Sequence, residues 1–172
     1  MDLARRTNLS FALIMLTLGA WFLAVEFATG LRDWAYSRAN WPLNVIGAGA
    51  LMLAAGLLTG TPGWAIPACI VGGIGGLLYW QNATGQWGTW AWAWTLIPGF
   101  VGVGIILTGL LRGRPRGALL GGGWTLFASL VLFTIFGSLL GGFRFVSQLW
   151  PILLIGAGLL TLARAFLRPK RA

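Results

Sequence analysis

This 172-residue chain holds three carboxylates (Asp2, Glu26, Asp33), one thiol (Cys69) and no histidine, so most of the side chains that move protons, attack carbonyls or hold metals are missing. Metal, haem, general-base and nucleophile chemistry needs such groups in clusters at fixed spacing, and here they are dispersed. Glu26 is the one carboxylate inside a stretch apolar enough to cross a bilayer, which makes it a functional candidate by position. It stands near the outer end of that stretch, within reach of Arg32, Arg38 or Arg144, so the expected role is an interfacial ion pair, Glu26 with Arg32. Cys69, flanked by Ala68 and Ile70, reads as a small apolar residue. Asn44 either bonds across helices or sits at the interface. Gly121-Gly-Gly123 follows Arg112, Arg114 and Arg116 but lacks the Gly-Lys-Ser/Thr of a phosphate loop, so it reads as a flexible helix entrance near the headgroups. No catalytic residue, cofactor or metal ligand is expected, and the chain is read as not an enzyme.

The elements that carry these residues follow from composition. With 58% hydrophobic and 9% charged residues the chain does not suit water. A spanning helix needs about 20 apolar residues, so six spans would use roughly 120 positions and leave no room for a soluble domain. Backbone groups in lipid must bond internally, so the apolar stretches are expected as helices, at about residues 9–28, 41–58, 64–80, 91–111, 124–140 and 150–166. Thr59-Gly-Thr-Pro-Gly63 makes a tight turn between the second and third, which should be antiparallel neighbours.

Lys and Arg in short loops stay on the cytoplasmic side. With the N-terminus inside, that face collects Arg5, Arg6, Arg112, Arg114, Arg116, Arg164, Arg168, Lys170 and Arg171, leaving Arg32, Arg38 and Arg144 outside. Both termini are then cytoplasmic. The net charge of +9 is explained by a flank for anionic headgroups, chiefly Arg112, Arg114, Arg116, Arg168, Lys170 and Arg171, and calls for no nucleic acid. Arg5-Arg6 ahead of an apolar stretch is read as the inner flank of a retained first helix rather than as an export signal.

Comparing the chain with itself reveals a period. Gly47-Ala-Gly49, Gly102-Val-Gly104 and Gly156-Ala-Gly158 recur at offsets of 55 and 54, and Trp41-Pro-Leu-Asn-Val-Ile-Gly47 returns as Trp150-Pro-Ile-Leu-Leu-Ile-Gly156. The expected fold is therefore all-α, six transmembrane helices as three repeated antiparallel hairpins, residues 1–62, 63–116 and 117–172, in one membrane domain. Each returning helix opens on Trp-Pro, where proline costs no hydrogen bond. The Gly-x-Gly pairs, with Gly72 and Gly76 and with Gly137 and Gly141, are expected to pack helices closely. Most of the 11 tryptophans fall at the outer boundary, as an aromatic belt would. The sharper reading takes Trp87, Trp90, Trp92 and Trp94, with Trp41 and Trp150, as a platform that docks a lipid or another membrane subunit.

The repeated hairpin with Trp-Pro-Leu-x-x-Ile-Gly and its basic tail resembles the LiaI-LiaF-like transmembrane family of bacterial membrane proteins, and more distantly the HdeD-like six-helix proteins. The resemblance covers nearly the whole chain and is strongest at residues 41–58 and 150–162; the middle unit departs at its displaced proline and Trp-rich connector. It implies a bacterial inner-membrane protein with a regulatory, envelope-stress role and supplies no catalytic residue. The expected function is a non-enzymatic membrane module, regulatory or accessory, that binds lipids, other membrane proteins or itself. The alternative is a small oligomeric channel or transporter, which predicts polar positions in register along several spans, and few are present.

Overall fold

The computed structural model describes residues 3–140 and the helical positions 155, 156 and 158. The expected sixth span, with Trp150 and Gly141 and the tail residues Arg168, Lys170 and Arg171, lies outside the described residues, apart from the isolated helical positions Gly156 and Gly158.

Within residues 3–140 seven helices follow in order: α1 (Leu3–Phe27), α2 (Thr29–Tyr36), α3 (Trp41–Leu58), α4 (Ala65–Thr84), α5 (Trp90–Ala93), α6 (Ile97–Leu111) and α7 (Pro115–Leu139). Among the described residues there is no strand. Among the described residues five stretches, Ala4–Phe27, Trp41–Leu58, Pro62–Thr84, Trp87–Leu111 and Pro115–Leu139, are long and apolar enough to cross a membrane, as in a multi-pass membrane protein. Each overlaps one of the first five expected spans. Proline opens α3, α6 and α7 within their first two positions, where no intrahelical donor is lost.

One expectation fails. Gly121-Gly-Gly123 is not a flexible entrance, because α7 starts at Pro115 and runs through it without a break. The glycines are tolerated inside the helix because Gly122 is where α6 approaches: a Cβ there would lie 2.5 Å from the carbonyl oxygen of Gly102.

The helices pack as neighbours in a row, α3 on α4, α4 on α6 and α6 on α7, with α1 resting more sparsely on α2 and α3. The closest interfaces are those joined by the short turns at 59–61 and 112–114. Most buried positions of the packed helices are small: Gly49, Ala55 and Gly56 in α3, Ala65, Ala68 and Gly75 in α4, Gly99, Gly102, Gly104 and Gly109 in α6, beside Pro42, Gln81 and Thr108. Large side chains such as Leu16, Phe27, Leu58 and Leu120 point outward. That is the inverse of a water-soluble core, and it suits lipid, where helices gain by close backbone contact rather than by hiding leucines. In α1 the least exposed positions, Ser10, Ile14, Leu18, Trp21 and Val25, repeat at helical spacing and form a single stripe.

The two short turns have the same construction. Gly56-Leu-Leu-Thr-Gly60-Thr-Pro62 and Gly109-Leu-Leu-Arg-Gly113-Arg-Pro115 share five of seven residues. In each the glycine is left-handed, with φ 66° at Gly60 and 68° at Gly113. The amide of Thr61 donates to Gly56 at 2.8 Å and that of Gly60 to Leu57 at 3.2 Å; Arg114 to Gly109 and Gly113 to Leu110 repeat this at 2.8 and 3.0 Å. This double bond pattern closes a helix end with glycine and stops its continuation with proline.

Candidate functional site

Two regions at opposite ends of the helices carry polar or aromatic groups in defined geometry. At one end, called the aromatic end here, α2, the start of α3, the end of α4 and residues 85–96 meet. The connector is not an extended strap. It folds as two 3-10 turns, Trp87–Thr89 and Trp94–Leu96, around α5. Trp87 stacks on Trp41 with ring centroids 6.3 Å apart and planes at 10°. Trp92 is buried, edge-on against Phe133 of α7 at 5.0 Å. Trp94 meets Phe136 edge-on at 5.4 Å and donates its indole N–H to Ala91.

Of the four connector tryptophans taken as a platform, Trp87, Trp90 and Trp94 remain substantially exposed, while Trp92 is the anchor that fixes them to α7. The anchor is reinforced by hydroxyls. Thr95 donates to the Trp92 carbonyl at 2.7 Å, and Ser129 of α7 donates to the Thr95 carbonyl at 2.6 Å. Below the connector, Asn44 Nδ2 donates to Ala35 of α2 at 2.8 Å, so it bonds across helices, and Asn82 Nδ2 donates to Arg38 at 2.5 Å. Glu26 Oε1 lies 3.7 Å from Arg32 Nη1, with both side chains more than half exposed, which places the pair at the modest end of ion-pair energies, about 0.2–1 kcal/mol.

The expected packing glycines divide by face. Gly49 meets the backbone of Gly72, and Gly104 meets Ile66 of α4 while Gly102 meets Gly122 of α7. Two positions apart on a helix is about 200°, so a Gly-x-Gly pair opens opposite faces. In α6 both faces have a neighbour. In α3 only Gly49 is used: a Cβ on Gly47 would meet nothing within 4 Å, and Gly47 instead borders an apolar crevice with Trp21 and Trp34. Gly76 is likewise open, and Gly137 is buried in α7.

At the other, basic end, Ser10 of α1 reaches the first turn. Its Oγ lies 2.6 Å from Thr59 Oγ1 and 2.8 Å from Thr61 Oγ1, which are 2.7 Å from each other. Thr108 Oγ1 of α6 donates to Pro62 at 3.1 Å. Arg112, Arg114 and Arg116 are exposed here. Arg112 bends over Gly63, whose Cβ position lies 3.6 Å from Nη2, and Arg6 bends over Gly60 at 3.2 Å from Nη1.

Three residues escaped the sequence reading. Ser10 and Gln81 are completely buried, although Gln81 falls just past the expected end of its span; Ser10 belongs to the helical stripe of α1 and was legible as such. Arg6 was counted only as a positive flank. The repeated heptapeptide of the two turns, at an offset of 53, singles out the turn that Ser10 and Arg6 reach, while nothing in the sequence pattern marks Gln81. Compared with family models, curated proteins and solved structures, the chain matches none of them.

Proposed function

We propose that the chain is a non-enzymatic, multi-pass protein of a bacterial inner membrane that acts as a regulatory or accessory subunit, docking another membrane protein through its aromatic end. In this reading both termini face the cytoplasm, the three hairpins are copies of one unit, and the likeness to LiaI-LiaF proteins extends to an envelope-stress role. The observation that carries it is the construction of the connector. Trp87, Trp90 and Trp94 stand out from a short folded segment that is bolted to α7 through Trp92 and Ser129. A rigid aromatic surface loses little entropy when it is covered, which is how a few tryptophans dominate an interface. The row of helices with small residues inward leaves large apolar faces for lipid or a partner.

The test is purification of tagged protein from its own membranes in mild detergent, followed by mass spectrometry of what co-migrates. A stoichiometric membrane partner, lost from the Trp87→Ala/Trp90→Ala variant while the fold is kept, is the expected result. Migration alone or as a homo-oligomer, with the variant unchanged, overturns the docking role and moves the question to flux assays in liposomes.

A further inference from the structure

We propose that the basic end holds a site for one anionic phospholipid, its phosphate between Arg6 and Arg112 over the turn 59–63 and its chains running down beside α1 and α3. The site is independent of the docking role above, since it lies at the other end of the helices.

Gly60 is shared by two open cavities. On one side a cavity of about 700 Å³ is walled by Thr7, Pro62, Trp64, Pro67 and Arg112, a volume within the range of small-molecule sites, about 300–1,000 Å³. On the other, a cavity of about 430 Å³ is bounded by Arg6, Leu9, Leu57 and Leu58. Both walls are mainly apolar, with polar groups from Thr7, Thr61 and Arg112 in the first and from Arg6 and Thr59 in the second; the phosphate belongs at Gly60, where the two cavities meet, and the acyl chains along apolar walls such as Leu9, Leu57 and Leu58.

Charge selects the headgroup. Arg6 comes from α1 and Arg112 from the end of α6, yet both guanidinium groups lie on the same turn, over Gly60 and Gly63. Of the three acidic side chains, Glu26 and Asp33 belong to the opposite end, where Glu26 faces Arg32, and Asp2 lies outside the described residues. Guanidinium forks match phosphate oxygens in pairs. Trp64 on the cavity wall is the residue type that settles at headgroup depth. A diffuse basic surface attracts anionic lipid at any point; here two arginines from separate helices converge on one glycine turn, while Arg116, just beyond, lines neither cavity. The glycines are part of the fit, because a side chain at Gly60 would be strained at φ 66° and would crowd Arg6.

The experiment is native mass spectrometry of the purified full chain titrated with phosphatidylglycerol or phosphatidylcholine. One phosphatidylglycerol is expected to be retained in preference to phosphatidylcholine. Arg6→Gln and Arg112→Gln should each lower that retention about fivefold, while Arg116→Gln, with the same loss of charge, stays near wild type. In wild-type protein, amide exchange over residues 59–64 should slow on adding phosphatidylglycerol while the connector is unaffected. Equal retention of the two lipids, an equal loss in Arg116→Gln, or unchanged exchange over 59–64 overturns the site. Displacement of the lipid by millimolar inorganic phosphate overturns the lipid assignment in favour of a soluble anion.

Discussion

Gly102 of α6 and Gly122 of α7 meet backbone to backbone: a methyl group built on either would lie 2.6 or 2.5 Å from the other's carbonyl oxygen. α6 cannot retreat from α7 without disturbing its contacts with α4 on the other side. Gly122→Ala should therefore destabilise the protein by about 1–3 kcal/mol, the usual cost of overpacking. Gly121→Ala and Gly123→Ala, where a Cβ meets nothing within 4 Å, should be neutral or slightly stabilising. Unfolding in sodium dodecyl sulfate, followed by far-ultraviolet circular dichroism, separates the three.

The connector tryptophans should divide in the same assay. Trp92→Ala removes a buried ring from Phe133 and is expected to cost about 3 kcal/mol or more. Trp90→Ala, at a position 38% exposed against 9% for Trp92, should cost clearly less, about 1 kcal/mol. A comparable loss in both would mean that the connector is held by all its rings alike.

Ser10, Thr59 and Thr61 hold α1 against the first turn with three protons for five contacts, counting Ser10 to the Arg6 carbonyl at 3.0 Å and Thr59 to the Ala55 carbonyl at 2.7 Å. At most three of these contacts are hydrogen bonds at one moment. Ser10→Ala should release α1 by about 1 kcal/mol, typical of polar contacts between membrane helices. Amide exchange within residues 4–20 should quicken about fivefold, with that of α3 and α4 unchanged; faster exchange in all three helices would contradict a local clamp.

Gln81 is completely buried at the aromatic end of α4, with Nε2 donating to Thr89 Oγ1 at 3.0 Å and no partner for Oε1 among the described residues. An unserved buried carbonyl costs about 1–3 kcal/mol, more than one neutral hydrogen bond returns. Gln81→Leu is thus expected to leave thermal stability unchanged or to raise it, whereas Gln81→Glu should lower it by at least about 2 kcal/mol at neutral pH. A large loss in Gln81→Leu would show that Oε1 is served by a group such as an internal water.

Much of the architecture was legible from simple rules. Apolar length located five helices, proline marked the starts of α3 and α6, and the Gly-x-Gly pairs pointed to close helix approach at Gly49, Gly102 and Gly104, whereas α7 starts at Pro115, nine residues ahead of the expected 124. The facing of side chains was not legible. In these helices nearly every residue is apolar, so polarity does not tell the lipid side from the protein side, and size decides instead. That is why Trp92 could not be told from Trp90, although they are two residues apart, and why Gly47 and Gly49 have different surroundings. The run 121–123 lies inside α7 rather than at its entrance because the helix begins at Pro115, ahead of the apolar stretch from Trp124, and Gly122 is where α6 approaches.

The duplicated glycine–proline turn has a consequence for how the chain is made. Each turn joins the partners of one of the closest interfaces, α3 with α4 and α6 with α7, through only a few residues. Loop closure over so short a span is entropically cheap, and the contacts it secures are local in sequence. Each pair can lock as soon as its second helix has emerged, so synthesis delivers two prefabricated blocks. The later steps are the joining of α4 to α6 and the seating of α1 by Ser10.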